Sequence, residues 1–237
     1  MANIALLIAG GSGNRMHQEI PKQFLTVNEK PIIVYTMEAF EKHPEIDEID
    51  VVCIHGWEQV LSAYARQFNI SKLRLIIEGG DTGQMSIRNG IFELEKVHSE
   101  EDIVLIHDAI RPMVSAEIIS DCIRVAKEKG NATTVIPCAE AMLETEDGFE
   151  SSGSYPRDHL KRTQTPQAFH LGRICDLHRR AAEKGITNSI ASCTLMIEMG
   201  EKVYFSIGSE KNVKLTTVED LEIFRALLAA QKMDWLK

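Results

Sequence analysis

Short apolar runs alternate along this chain with longer stretches in which apolar residues recur at helical spacing. The apolar runs have the length of buried strands and cover residues 4–9, 49–54, 73–77, 103–106, 132–137 and 203–207. One helix is predicted to begin at Pro31 and another to end near residue 67, and further helices cover residues 86–97, 116–129, 171–184, 190–199 and 218–228. This alternation predicts an α/β fold with a mainly parallel sheet covered by helices on both faces.

Residues 140–162 interrupt the alternation. The stretch is rich in acids, contains adjacent serines and two glycines, and has weak periodicity. We interpret it as a hairpin or arm that projects from a single domain spanning residues 1–237. A linker is less consistent with the pattern, because a helical pattern resumes at Ala168 and no second complete core is evident.

The first apolar run opens into a glycine-rich loop. In Ala9-Gly10-Gly11-Ser12-Gly13, missing side chains let backbone N–H groups close around a phosphate, and Arg15 and Lys22 add positive charge. An ordinary strand-to-helix turn with incidental cations is the alternative. Two known phosphate loops are excluded, because no Gly-Lys-Ser/Thr triplet occurs and Met16 stands where a dinucleotide fingerprint has its third glycine.

Other chemistry-bearing residues follow the predicted strands. Ligands of parallel sheets bind beyond the carboxyl ends of the strands, so residues 10–13, the Gly79-Gly80 turn and Asp108 are expected on one rim. A carboxylate facing a phosphate loop suits Mg²⁺, whereas an aspartate that caps a turn and pairs with Arg111 fits the sequence equally well. We interpret His107 as structural.

Three further features stay ambiguous by themselves. Lys214 follows a predicted strand, where a lone lysine is usually a solvated surface residue and its functional role needs other support. Arg157 in the arm is equally ambiguous between a surface and a functional role. Residues 163–167, Thr-Gln-Thr-Pro-Gln, suit either a binding loop or a tight turn.

Composition narrows the class of protein. A net charge of −9 argues against broad nucleic-acid binding, which needs a basic surface. Five scattered cysteines without a C-x-x-C pair, and eight histidines without ligand spacing, predict reduced thiols and no zinc site. The chain enters a strand almost at once and has no apolar run of membrane-spanning length. We therefore expect a cytoplasmic protein without nucleic-acid or membrane partners.

Several motifs together resemble a known family. They are residues 9–16 with Pro21-Lys22-Gln23-Phe24, residues 107–112, residues 164–167, and residues 212–214 with Thr216-Thr217. In this order they resemble the cytidylyltransferases that join CMP to a polyol phosphate, and the resemblance covers essentially the whole chain. That family includes the 2-C-methylerythritol 4-phosphate enzyme of isoprenoid synthesis and the ribitol 5-phosphate enzyme of teichoic acid and capsule synthesis. Residues 21–25, 55–57 and 216–218 and Cys193 are more similar to the ribitol branch, and residues 107–109 to the other.

The resemblance implies a Rossmann-like nucleotidyltransferase domain with a β-arm for dimerisation. It also implies a Mg²⁺-dependent attack of an acceptor phosphate on the α-phosphorus of CTP, with release of pyrophosphate. The implied nucleotide-binding residues are Ala9, Gly10, Gly11, Ser12, Gly13, Gly80, Ser86 and Asp108, and the implied catalytic residues are Arg15, Lys22, Arg157 and Lys214. Asp108 would also ligate Mg²⁺. Thr165 and Arg157 would contact the polyol phosphate, Arg157 from the neighbouring subunit of a homodimer.

Departures from the family pattern fall mostly on the acceptor side. Gly83 stands where the family usually has arginine, Glu140-Ala141 where it has Asp-Thr, and Ile190-Ala191 where it has Thr-Asp. Thr187-Asn188 would supply the missing polar groups if that loop is shifted. The acceptor is therefore less determined than the CTP donor. A sugar-phosphate nucleotidyltransferase that uses another base and a catalytically weak nucleotide-binding relative are the alternatives.

Overall fold

The computed structural model describes residues 1–11 and 20–231, so Ser12, Gly13 and Arg15 of the predicted site lie outside the described residues. The strands are β1 (Asn3–Ala9), β2 (Thr26–Val27), β3 (Lys30–Pro31), β4 (Glu48–Cys53), β5 (Leu73–Glu78), β6 (Ile103–Asp108), β7 (Asn131–Pro137), β8 (Met142–Glu144), β9 (Gly153–Tyr155), β10 (Lys161–His170) and β11 (Phe205–Ile207). The α-helices are α1 (Ile32–Glu41), α2 (Glu58–Gln67), α3 (Gly83–Leu94), α4 (Ala116–Lys129), α5 (Leu171–Glu183), α6 (Ser192–Glu198) and α7 (Val218–Gln231).

The central sheet confirms the predicted α/β fold. Within the described residues, seven strands form one sheet in the order β11-β7-β10-β6-β1-β4-β5. β1 pairs in parallel with β4 and β6, β4 with β5, and β7 with β11. β10 is antiparallel to both of its neighbours, β6 and β7. The sheet is therefore mostly parallel, with one strand reversed.

Helices cover both faces of the sheet because successive strand residues turn to opposite sides. Leu7 and Val51 belong to an apolar core formed with α1, α2 and α4. Leu6 and Val52 belong to a second core formed with α3, α5 and α6. β1 is buried almost throughout, which is typical of a central parallel strand and explains its continuous apolar sequence.

The clearest error of the sequence prediction concerns β10. Residues 163–167 lie in this strand rather than in a loop or turn, and residues 168–170, where the helical pattern seemed to resume, continue the strand. The helix predicted over residues 171–184 is present as α5. Ala168 and Phe169 turn to opposite apolar cores, as strand residues do. The polar residues concealed the strand because their side chains are satisfied inside the fold, as when the Gln164 side-chain amide donates to the carbonyl of Ser209 at 2.9 Å.

Smaller differences have local causes. α3 begins at Gly83 rather than at residue 86, because the Thr82 hydroxyl accepts the N–H of Met85 at 3.1 Å and caps the helix. Pro31 precedes α1 as its cap residue instead of being its first residue. α4 ends where predicted, at Gly130 with its left-handed φ of 89°.

The arm contains the expected hairpin, since β8 and β9 pair antiparallel. Lys161 and Arg162, which the prediction assigned to the arm, belong to β10 of the central sheet. None of the helices in residues 1–11 and 20–231 is long and apolar enough to cross a membrane.

Candidate active site

Glycines bring the ends of two strands into contact. A side chain on Gly10, just after β1, would place its Cβ 2.9 Å from the Ser86 hydroxyl oxygen, and one on Gly79, just after β5, would lie 3.1 Å from the Gly10 Cα. The Ser86 hydroxyl accepts the N–H of Gly80 at 3.0 Å. Only glycine permits so close an approach of two backbones, so the loops after β1 and β5 and the start of α3 meet at one point.

Gln23 holds the glycine loop from the other side. Its buried side-chain amide donates to the carbonyls of Ala9 at 2.7 Å and Gly11 at 3.1 Å. The preceding residue, Lys22, opens a 3₁₀ turn and lines the cavity beyond the loop. The loop carbonyls are thus bonded to protein, and Lys22 is the positive charge beside them.

Asp108 ends β6 with both carboxylate oxygens bonded to cations. Oδ1 lies 3.0 Å from the ammonium of Lys214, and Oδ2 lies 3.0 Å from Nε of Arg111. Burial alone would raise the pKa of Asp108, but the charges of Lys214 and Arg111 outweigh it and hold the pKa below its ordinary value. Asp108 is therefore ionised at neutral pH, and the Arg111 pairing that the sequence left open is present.

The loop that carries Lys214 is fastened to the sheet edge. The side-chain amide of Asn212 donates to the carbonyl of Thr165 at 2.9 Å, and Nη1 of Arg111 donates to the carbonyl of Asn212 at 2.8 Å. The Thr165 hydroxyl in turn accepts the N–H of Asp108 at 3.0 Å. These bonds join the ends of β6 and β10 to the Lys214 loop, so its ammonium is held near Asp108.

Burial keeps His107 neutral beside this network. Its side chain is fully buried against Phe40, and burial lowers the pKa of His107 to about 4. One ring nitrogen, Nε2, lies 3.2 Å from the carbonyl of Arg111. The structural role predicted for His107 is consistent with this environment.

Two adjoining cavities lie over the carboxyl ends of the strands. The first, of about 560 Å³, is lined by the predicted residues Ala9, Gly10, Gly11, Lys22, Gly80, Ser86, Asp108 and Lys214. The second, of about 320 Å³, is lined by Arg111, Thr165 and Ser192 and shares Asp108 and Lys214 with the first. Sequence positions more than 200 residues apart thus form one composite pocket on the predicted rim, and the role of each residue in it stays a prediction.

Arg157 lies elsewhere in the described part of this chain. It is exposed in a short 3₁₀ turn near the base of the arm, lines neither cavity, and donates to the carbonyl of Ala139 at 3.0 Å. A role for Arg157 in this pocket therefore requires the arm of another subunit.

Three of the five residues that depart from the family pattern line the second cavity, whereas Glu140 and Ala141 line neither cavity. Gly83, Ile190 and Ala191 contribute to the wall of the second cavity, and the Ile190 side chain is 97% exposed. Thr187 lines neither cavity among the described residues, and its carbonyl accepts the hydroxyl of Thr82 at 3.2 Å. The loop shift considered from the sequence therefore does not bring Thr187 into the pocket.

Sequence reasoning missed the residues that position the others. Gln23, Asn212 and Gln164 are buried. Gln23 donates to the carbonyl of Ala9 and Asn212 to that of Thr165, whereas Gln164 donates to the carbonyl of Ser209 in the loop that leads to Lys214. All three stand in the motifs that carry the family resemblance, but no positioning role was predicted for them.

A glycine-lined rim, two lysines and an ionised aspartate over a mostly parallel sheet suit a nucleotidyltransferase. A sequence model of the family described as 2-C-methyl-D-erythritol 4-phosphate cytidylyltransferase (IspD) matches residues 3–230, and the chain belongs to this family.

The relatives that are similar to this chain are named for one of two different acceptors. A ribitol-5-phosphate cytidylyltransferase of Lacticaseibacillus paracasei is 42% identical over 231 residues, covering 97% of this chain and 99% of that protein. A 2-C-methyl-D-erythritol 4-phosphate cytidylyltransferase of Clostridium botulinum is 37% identical over 228 residues, covering 95% and 97%. A solved 4-diphosphocytidyl-2C-methyl-D-erythritol synthase superposes with a TM-score of 0.80 at 25% identity, covering 96% of this chain and 98% of that one.

Proposed function

We propose that this chain transfers the CMP group of CTP to the phosphate of D-ribitol 5-phosphate and releases pyrophosphate. An acceptor phosphate oxygen forms a bond to the α-phosphorus of CTP, and the bond from that phosphorus to the oxygen bridging to the β-phosphorus breaks. The electron pair leaves with pyrophosphate, and no covalent enzyme intermediate is needed. The observation that carries the proposal is the pair of adjoining cavities that share Asp108 and Lys214.

The donor half of the pocket is suited to a triphosphate. The backbone at Gly10 and Gly11 has no side chain to obstruct a phosphate, and Lys22 and Lys214 supply positive charge. During the attack, negative charge develops on the α-phosphate oxygens. Fixed ammonium groups therefore stabilise the transition state more than the ground state. Ser86 contributes by fixing the turn at Gly80.

Asp108 fits the role of Mg²⁺ ligand. Mg²⁺ is usually held by one or two carboxylates together with substrate phosphates, and Asp108 is an ionised carboxylate at the junction of the cavities. Each carboxylate oxygen has two lone pairs, so the bond to Arg111 is compatible with a metal. Bound there, Mg²⁺ would neutralise part of the triphosphate charge. Lys214 would then turn its ammonium from Asp108 towards the phosphates.

The acceptor half offers groups for a phosphorylated polyol. Arg111 presents a guanidinium, Thr165 a hydroxyl, and Ser192 a buried hydroxyl that has no hydrogen-bond partner among the residues described. A bound polyol hydroxyl would satisfy Ser192. The ribitol compound is preferred over the methylerythritol compound because the most similar relative reported above carries the ribitol name.

A homodimer completes the proposed acceptor site. Leu143 and Phe149 of the arm are 67% and 95% exposed, which suits a surface covered by a second copy. In that dimer Arg157 reaches the partner's pocket and holds the acceptor phosphate. A cytoplasmic location agrees with five buried cysteines that form no disulfide.

The reaction is tested by incubating the protein with Mg²⁺, one nucleoside triphosphate and one polyol phosphate, and measuring pyrophosphate. We expect release with CTP and D-ribitol 5-phosphate. Lys214→Met should reduce it strongly, whereas the matched surface variant Lys211→Met should not. Pyrophosphate release with 2-C-methyl-D-erythritol 4-phosphate alone would contradict the proposed acceptor. Release with UTP or GTP alone would contradict CTP as the donor. CTP binding without any release would favour a catalytically weak relative.

The dimer is tested by sedimentation. We expect twice the chain mass of 26.6 kDa, and a shift towards monomer for Phe149→Asp but not for the control Val97→Asp, whose side chain is 66% exposed outside the arm. Mixing Arg157→Ala and Lys22→Ala subunits should restore part of the activity that each variant loses alone. Verified mixed dimers without recovery would contradict the exchange of arms.

A further inference from the structure

A second cluster of potential ligands lies at the opposite end of the sheet from the pocket. Glu48 opens β4, and Asp50, two residues later, turns to the same face of the strand. His98 follows α3 on that face. One oxygen of each carboxylate and one nitrogen of the imidazole lie within 4.8 Å of one another, and Oε1 of Glu48 is 3.1 Å from Nε2 of His98.

Asp50 brings an unsatisfied oxygen to this cluster. Its side chain is fully buried, and Oδ1 accepts the N–H of Leu75 at 2.8 Å. Oδ2 has no hydrogen-bond partner among the residues described. A buried carboxylate oxygen without a donor is costly, and the positive charge that acts on Asp50 belongs to the exposed Arg74 on β5. The negative charge of Glu48 also acts on Asp50, so the cluster places two acids beside one exposed arginine.

His98 has a further carboxylate behind its ring. Its Nδ1 lies 3.7 Å from Oδ2 of Asp102, while Nε2 faces Glu48. Asp102 is itself held by the N–H groups of Ala2 at 2.7 Å and Ser99 at 3.0 Å. A carboxylate behind the distal ring nitrogen is the usual companion of a metal-ligating histidine, because it sets the tautomer and the ring orientation.

We propose that Glu48, Asp50 and His98 bind a divalent transition-metal ion of the Zn²⁺ class. One imidazole nitrogen with two carboxylate oxygens suits Zn²⁺, which bonds such atoms at about 2.0–2.2 Å, whereas Mg²⁺ and Ca²⁺ favour oxygen alone. Glu48 and His98 are both partly exposed, with side-chain exposures of 19% and 14%, so an ion can enter from solvent.

The position of the cluster makes this metal structural. From Asp50, β4 runs about 10 Å further to its last residue, Cys53. The next residue, Ile54, lines the first cavity of the candidate active site. The ion would fasten the start of β4 to the segment after α3 and would not touch the reacting phosphates. The expectation of no zinc site was drawn from spacing along the chain, and His98 lies 48 residues from Asp50.

The test is Zn²⁺ titration of chelator-treated protein by calorimetry, with a phosphine reductant to keep the cysteines reduced. We expect one tight site in the native chain and an affinity lower by more than about 100-fold in Glu48→Gln and His98→Asn. His55→Asn is the matched control, because His55 lies 3.0 Å from Glu78 in an exposed pair for which the described residues offer no third ligand. That variant should keep the tight site.

Two further measurements distinguish the loss of the metal site from a folding defect in a variant. Zn²⁺ should raise the melting temperature of the native chain and not that of His98→Asn, and bound Co²⁺ should give visible absorption bands that Asp50→Asn loses. Absence of any site tighter than about 0.1 mM in the native chain would overturn the proposal, as would equal Zn²⁺ affinity in all the cluster variants. None of these readouts depends on nucleotide transfer.

Discussion

Contact between the loop after β1 and the start of α3 leads to a quantitative prediction. In Gly10→Ala the new methyl group would lie 2.9 Å from the Ser86 hydroxyl oxygen and 3.3 Å from the Gly79 Cα. Both contacts are shorter than the ordinary separation, so the loop or the hydroxyl must move. Overpacking of this kind costs about 1–3 kcal/mol of unfolding free energy. A displaced loop should also weaken CTP binding by about tenfold or more, since a loss of 1.4 kcal/mol is tenfold.

The same geometry predicts a rescue. Ser86→Ala removes the oxygen, and the next atom of that side chain, Cβ, is an ordinary 3.6 Å from the methyl group. Ser86→Ala alone loses the bond from the N–H of Gly80 and should cost about 1 kcal/mol. In the double variant the clash with the hydroxyl is gone. Its destabilisation should therefore fall short of the sum of the single effects by about 1 kcal/mol or more.

Urea denaturation of the four proteins at neutral pH measures this coupling, and calorimetric titration with CTP reports the loop position. Gly11→Ala is the control for stability, because a Cβ there meets no atom within 4 Å among the described residues. The reasoning is refuted if Gly10→Ala is as stable as Gly11→Ala. It is refuted equally if the Gly10 and Ser86 effects add within about 0.5 kcal/mol.

Three further predictions address the pocket, the arm and the core. Asp108→Asn should lower kcat/KM in the pyrophosphate assay by about 100-fold or more while keeping a cooperative thermal transition, and a fully active variant would contradict its metal role. Arg157→Ala should raise the acceptor KM and leave CTP affinity unchanged by calorimetry; an equal loss of CTP affinity would count against a role on the acceptor side. Burial lowers the pKa of His178 to about 4. Below about pH 6.5 the unfolded chain therefore takes up a proton that the folded chain does not, and the free energy of unfolding decreases as the pH is lowered. His178→Leu should reduce the loss between pH 6.5 and 5 by about 1.5 kcal/mol in urea denaturation, and parallel curves for the two proteins would refute this.

Most of the sheet and helices were predictable because their apolar spacing is local. β1 is buried on both faces and reads as a continuous apolar run from Ile4 to Ala9, β4 is apolar from Val51 onwards, and the bounds of α4 follow from its periodicity and from Gly130. β10 was not predictable in this way. Gln164 and Gln167 are polar but buried, and their partners lie 26 to 48 residues further along the chain.

The candidate site likewise has features that the sequence predicted and others that it did not. Its position on the rim followed from the order of strands and glycines, because parallel strands end at the same edge of the sheet. The pairing of Asp108 with Arg111 was one of two interpretations of the sequence, but its pairing with Lys214 did not follow, since Lys214 is 106 residues away. The clamp formed by Gln23 on the carbonyls of Ala9 and Gly11 was equally hidden, because any polar side chain has many possible partners.

The sequence by itself determined the α/β class, the glycine loop and the family, since each depends on residue type at short spacing or on the order of motifs. Only the tertiary structure decided which charges meet. It joined Asp108 to Lys214 at one edge of the sheet and Glu48 and Asp50 to His98 at the other. Electrostatic contacts act over a few ångströms in space, and a folded chain brings together residues that its sequence keeps far apart.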